Sequence, residues 1–212
     1  MLRAHGAHII EADALGRELM EPGHAVFDQI VSTFGEAILN PEGRIDRARL
    51  ARIAFEGNRL QGLNAIVHPA VIALQQQLME QLFSRDPKAV AIVESALIFE
   101  VVRDARARGE IDTVLSDWRR RIDRVIVVTA PDRLKTARYV DRLKVPPEKR
   151  PSAANDARSR LAHQIPDAEK ASQADYVLDN SGDLASLQHK VDELWPRLKA
   201  DSNNSPTSLS LK

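Results

Sequence analysis

Cysteine is absent from this chain, which excludes both a disulfide framework and a thiolate metal site. Aromatic residues make up only 4% of the 212 positions, so Leu, Ile, Val and Ala must build any core. Net charge is absent too, because 30 Lys and Arg balance 30 Asp and Glu. No global field draws the chain onto nucleic acid or an anionic membrane. The longest apolar runs, "AVAIV" and "VIVV", are far too short to cross a bilayer. The opening residues contain no signal-peptide h-region, so the expected compartment is cytoplasmic. Six His are scattered without metal-ligand spacing, so no protein-built metal site is expected. No G-x-S-x-G occurs, which removes a nucleophile elbow.

What is present supports one medium domain: 43% of residues are hydrophobic, enough for a real core. The expected organisation is a domain over 1–200 and a disordered polar tail over 201–212, with no internal repeat. "LRAH" followed by Gly6 reads as the last turn of a helix and its glycine cap. "HIIE" then reads as a short strand, with Asp13 opening the next helix. Helices follow through Val26, Phe27, Ile30 and Val31, and again beyond Asp46, a good N-cap. The spacing Val67, Val71, Leu74, Leu78, Leu82 predicts one long amphipathic helix closed by "SRDPK". The runs over 89–95 and 123–130, rich in β-branched residues, suit parallel strands buried on both faces, and "DYVLD" is a weaker third. Between them lie a helix over 131–142, a polar break over 143–156 and more helix to about 171. The last helix is expected to use Leu184, Leu187, Val191, Leu194, Trp195 and Leu198. Strands alternating with helices imply an α/β fold with a parallel sheet. The strandless stretch over about 24–84 reads as an inserted helical subdomain.

In such sheets ligands bind beyond the carboxyl ends of the strands. That places Glu11 and Asp13, then Glu94 to Glu100, then Thr129 to Pro131, in candidate positions. Asp13 fits an ordinary N-cap equally well. The second candidate is the basic set Arg133, Arg138, Arg142, Arg158 and Arg160 with Lys135, Lys144, Lys149 and Lys170, around a proline-rich break. Arginine forks suit phosphate oxygens, and a mobile loop could carry them over a nucleotide. Taken singly, each also fits a solvated helix face with i,i+4 partners. "WRRRIDR" reads as a basic surface cluster.

Taken in order, these pieces resemble the dephospho-CoA kinase family over most of residues 5–182. "GAHIIEADALGREL" is similar to the family's second strand and following helix, with Glu11, Ala12, Asp13 and Arg17 at its hallmark positions. "EPG", "FG" and "GRIDRARL" follow in family order. "LNAIVHP" resembles the family's Leu…His-Pro segment, and "ALIFE" its Pro-Leu-Leu-Phe-Glu. "RYVDR" matches the Arg-x-x-x-Arg of its lid. The block over 160–182 is very close to the family's closing block, with Gln164, Lys170, Asp179, Asn180 and Gly182 in register.

The resemblance implies a P-loop kinase-type parallel sheet flanked by helices, a helical CoA subdomain and a lid at about 138–165. It implies transfer of the ATP γ-phosphoryl group to the ribose 3′-hydroxyl of dephospho-CoA, the last step of coenzyme A biosynthesis, with Mg²⁺. Asp13 would accept the hydroxyl proton. Arg142, with Arg138, would make lid contacts to phosphates, and Asn180 would meet the adenine edge. Arg17, His68 and Glu100 would bind the substrate. Glu11 stands where the family has Asp, and Ala96 where it has Pro. The stretch over 101–122 is longer than the family's and is expected to be a surface insertion.

None of the nine Gly is followed by Lys, so the phosphate cradle G-x-x-x-x-G-K-[ST] does not occur. By the resemblance, residues 1–6 end the helix that follows this motif. The expectation is that the family's first strand and P-loop, roughly 25 residues at typical element lengths, are missing from this chain. Such a chain would be inactive as given. Two other functions remain open: a non-catalytic protein that binds CoA or dephospho-CoA, and another nucleotide kinase of the same fold. Oligomeric state is not legible.

Overall fold

A computed structural model describes residues 1–57 and 59–204, with the side chains of Glu56 and Asn204 left aside. The chain divides into two compact units at Ala96–Leu97, and Met1–His5 belongs with the second.

The first unit begins with strand β1 (His8–Glu11), which passes straight into α1 (Ala12–Leu19). Three helices follow: α2 (Ala25–Phe34), α3 (Arg47–Glu56) and α4 (Leu60–Arg85); strand β2 (Ala91–Glu94) returns beside β1. The pairing is parallel, from His8 opposite Ala91 to Glu11 opposite Glu94. Local chemistry sets the helix ends. Gly35 ends α2 at φ 84°, a left-handed conformation that favours glycine. Asn40 accepts from the Arg44 N–H at 2.8 Å to form the next turn, and Asp46 caps α3 by accepting from the Arg49 N–H at 3.0 Å. Val26, Ile30, Phe34, Ile38, Ile45, Leu50 and Ala54 form the core of this unit.

Helix α4 starts earlier than the sequence spacing indicates, and it carries Pro69 inside it. Its buried stripe is Val71, Ile72, Gln75 and Met79, while Leu74, Leu78 and Leu82 are half-buried. Gln75 occupies a core position in this stripe, which hydrophobic counting assigns to solvent.

In the second unit Leu2–His5 forms a single 3-10 turn ended by Gly6 at φ 101°. Helix α5 (Ile98–Ala107) leads through a 3-10 turn at Trp118–Arg120 to strand β3 (Ile126–Thr129). Helices α6 (Asp132–Leu143), α7 (Arg150–Ala162) and α8 (Asp167–Ser172) precede strand β4 (Tyr176–Asp179), and α9 (Leu184–Asn204) follows it. β3 and β4 are parallel, from Ile126 opposite Tyr176 to Thr129 opposite Asp179. One face of this pair carries Val127 into a core with Phe99, Val102, Trp118 and Val125. The other packs Leu178, Ile126 and Tyr176 on Val191, Leu194 and Leu198 of α9.

All four strands expected from the sequence are present, but they form two two-stranded sheets rather than one. No strand among the described residues pairs with both β2 and β3, so each is bonded on one side only. Other expectations need correction. The stretch over 101–122 is not a surface insertion: Val101, Val102, Ala105, Ser116, Trp118 and Arg121 are buried. The polar break over 143–156 is short, because α7 already begins at Arg150 behind a proline-started turn. Residues 201–204 are helical, and Asp201 accepts from Arg124 at 2.9 Å and from the Tyr176 hydroxyl at 2.8 Å. The remainder of the tail, 205–212, lies outside the described residues. Leu184 starts α9 but is 73% exposed, about two turns before Val191, where the apolar face that packs on β4 begins.

Candidate functional site

Each unit has candidate residues just past the carboxyl end of its parallel strand pair, and others on its helices. In the first unit β1 ends at Glu11, level with Glu94 of β2. Because α1 begins at once, Asp13 falls in its first turn, where free backbone N–H groups favour a negative charge. Its side chain is exposed, with no hydrogen bond or ion pair among the described residues. Arg17, also exposed, lies one turn further on the same face. His68 is half-buried on α4, directly before Pro69.

In the second unit the β3–β4 ladder continues one residue past the strands, where the Asn180 N–H donates to the Thr129 carbonyl at 2.8 Å. Asp179 organises the turn that follows. Its carboxylate accepts from the Ser181 N–H at 3.0 Å, from the Ser181 hydroxyl and from Lys190 Nζ at 3.0 Å. The Ser181 hydroxyl first, and Lys190 after it, hold this carboxyl below the usual carboxylate range. Arg138 reaches the same turn from α6: Nη1 donates to the Asn180 carbonyl at 2.7 Å and Nη2 to the Gly182 carbonyl at 3.1 Å.

Helices α6 and α7 pack together around Tyr139. Its hydroxyl donates to Asp156 at 2.6 Å, a bond that pushes the phenol pKa up, and Arg160 Nε donates to the same carboxylate at 2.9 Å. The guanidinium carbons of Arg142 and Arg160 each lie 5.8 Å from the Tyr139 ring centre. Most of the basic set is therefore engaged within this unit. Arg158 bonds Asn155, Arg160 bonds Asp156, Lys135 pairs with Asp167 at 2.7 Å, and Lys170 pairs with Glu100; Arg150, outside that set, bonds Asp141. Arg142 is exposed and has no carboxylate partner among the described residues.

Glu100 is buried between α5 and α8. It is 3% exposed; its Oε1 meets Lys170 Nζ at 2.7 Å and accepts from the Ile165 N–H at 2.8 Å. The structure thus brings Arg138 to Asn180, sets Arg142 on Tyr139 and gives Asp13 and Arg17 one helix face. Glu100 it turns inward, onto the segment joining α7 to α8. Sequence reasoning missed Tyr139 and Asp167. Asp167 opens α8 directly after Pro166, and that Pro-Asp helix start was the available signal.

The dephospho-CoA kinase family profile matches residues 1–186. This chain belongs to that family. A dephospho-CoA kinase of Corynebacterium jeikeium is 37% identical over 192 residues, covering 90% of this chain and 86% of its own. One of Thermobifida fusca is 35% identical over 199 residues, covering 93% and 87%. A crystal structure of a Thermus thermophilus protein superposes with a TM-score of 0.64 at 27% identity, covering 93% of this chain and 87% of that one. The dephospho-CoA kinase of Campylobacter jejuni, 24% identical with a TM-score of 0.59 and covering 94% and 88%, shares the fold. Dephospho-CoA kinase membership makes the chain a transferase of the kinase class, associated with ATP binding and coenzyme A biosynthesis. No helix among the described residues is long and apolar enough to cross a membrane.

Proposed function

We propose that the reaction served is transfer of the ATP γ-phosphoryl group to the ribose 3′-hydroxyl of dephospho-CoA, in the cytoplasm, with no nucleic-acid or membrane partner. The observation that carries this reading is Asp13: an exposed carboxylate without a partner among the described residues, in the first turn after a parallel strand, in a chain matched to the family through residue 186. The substrate oxygen attacks the γ-phosphorus, the bond to the bridging oxygen of ADP breaks, and the hydroxyl proton passes to an Asp13 oxygen. A positioned base of this kind contributes about 10²–10⁴ in rate. Arg142 neutralises charge on the phosphates, and its lack of a carboxylate partner among the described residues leaves the guanidinium available for that. Asn180 faces the nucleotide base with Arg138 behind it, and Arg17 and His68 bind dephospho-CoA.

Mg²⁺ is the metal this chemistry uses. Among the described residues no three His, Asp or Glu gather as a metal cage. Mg²⁺ usually keeps several waters and is bound through one or two carboxylates and substrate phosphates. Asp13 is the carboxylate that would hold it, and the ion would supply charge neutralisation on the phosphates.

The sequence holds no G-x-x-x-x-G-K-[ST], and one comparable charge-stabilising group is worth roughly 10³–10⁵ in rate. The chain as given is therefore inactive by this reading. The same observation favours a second reading, a non-catalytic protein that binds CoA or dephospho-CoA. The deciding experiment measures ADP release with ATP, Mg²⁺ and dephospho-CoA. It compares this chain with a fusion that places a strand, G-x-x-x-x-G-K-[ST] loop and helix ahead of Met1. Activity in the fusion alone supports the kinase. Turnover by the chain itself sinks the requirement for that motif, and dephospho-CoA binding with silence from both proteins supports the binder.

A further inference from the structure

Asn180 is held from three directions. Its N–H is bonded to Thr129 of β3, and Asp179 before it is tied to Lys190 of α9. The third tie, Arg138, is the only one of these that comes from the α6–α7 pair. Its two terminal amino groups take the carbonyls on either side of Ser181, at 2.7 and 3.1 Å. A planar fork can span two carbonyls in this way, whereas an ammonium cannot hold the same geometry. Arg142 lies four residues further along α6, on the same face. The Arg138 fork therefore fixes the distance between the turn bearing Asn180 and the helix bearing Arg142.

We propose that Arg138 is a positioning residue that registers α6 on the 180–182 turn, so that ordering of the base site and presentation of Arg142 to phosphates are coupled. This rests on the kinase reading, in which Asn180 meets the base and Arg142 the phosphates. It departs from a direct phosphate role for Arg138, because both terminal amino groups already donate to main-chain carbonyls.

The test combines calorimetric binding of ATP and of adenosine with amide hydrogen exchange in the ligand-free chain, for wild type, Arg138→Met, Arg138→Lys and Arg142→Met. Exchange at Asn180 and Ser181 is expected to quicken in both Arg138 variants, while amides of the β1–β2 pair keep their wild-type rates. ATP and adenosine are both expected to bind about ten-fold more weakly to the Arg138 variants, on the order of one oriented hydrogen bond. Arg142→Met is expected to weaken ATP and spare adenosine. Adenosine binding unchanged by Arg138→Met, with ATP weakened, would make Arg138 a phosphate ligand and overturn the proposal. Unchanged exchange at Asn180 and Ser181 also overturns it, even if wild type binds no ATP. Failure of the fusion carrying the phosphate cradle to bind ATP would instead count against the kinase reading.

Discussion

Glu100 and Lys170 form a buried ion pair, 2.7 Å apart with side chains 4% and 10% exposed, that joins α5 to α8. The Ile165 N–H adds a further bond to the same carboxylate oxygen. Removing one partner leaves the other charge buried and uncompensated, which costs about 3–5 kcal/mol. Lys170→Met should lose stability on that scale in urea unfolding. Glu100→Gln added to Lys170→Met should recover part of it, because the stranded charge is gone. Equal stability of the single and double variants would show that the pair carries no such coupling.

The four strands were legible because each is a short apolar run bounded by turn chemistry, and the α3 cap was legible because Asp46 is a local signal. What pairs with what was not. Nothing local to Glu100 announces Lys170, its buried partner. The stripe on α4 was misplaced because Gln75 is buried within it. The stretch over 101–122 reads as a surface insertion because it is longer than the family's, and length does not show that its arginines turn inward. Several are bonded instead to main-chain carbonyls: Arg106 to Ser116, Arg120 to Asp112 and Arg121 to Val114. At the candidate site, Asp13 was legible from strand-end logic. Arg138's attachment to the 180–182 turn needed the fold.

Arg121 shows what that burial entails. It is 8% exposed, its Nη2 has no partner, and burial pushes its pKa down to about 10. A desolvated charge without a carboxylate is a liability, and replacing buried charges by apolar side chains of similar volume is often neutral or stabilising by about 1–4 kcal/mol. Arg121→Met should therefore be at least as stable as wild type. Arg121→Ala, which leaves a void, should be less stable by about 2 kcal/mol. A large loss in the Met variant would show that the bond from Nε to Val114 outweighs desolvation.

Asp13 separates chemistry from folding. Its side chain is exposed and lacks a partner among the described residues, so Asp13→Asn should leave the unfolding free energy within about 0.5 kcal/mol of wild type. In the fusion carrying the phosphate cradle, kcat should fall about 10²–10⁴-fold while KM for dephospho-CoA changes little. A rise in KM with kcat preserved would make Asp13 a binding group instead of the base.

Asp192 links pH to the seating of the N-terminal turn on α9. Its Oδ1 accepts from Gln188 Nε2 at 2.7 Å and meets His5 Nε2 at 2.8 Å, while the His5 ring stacks on Trp195 at 5.6 Å. The bond from Gln188, and after it that to His5, holds this carboxyl below its usual range. Between the folded and the ordinary carboxylate pKa the unfolded chain binds the extra proton, so stability rises with pH through that window. The contribution is complete above the ordinary value and is lost as pH falls through the folded one. Asp192→Asn should therefore lose less stability than wild type between about pH 6 and about pH 3, since it has no carboxylate to protonate. The check is urea unfolding at the two pH values, with an NMR titration of the Asp192 carboxyl. Identical acid sensitivity of the two proteins, or a carboxyl titrating at its ordinary value, would remove Asp192 as the link.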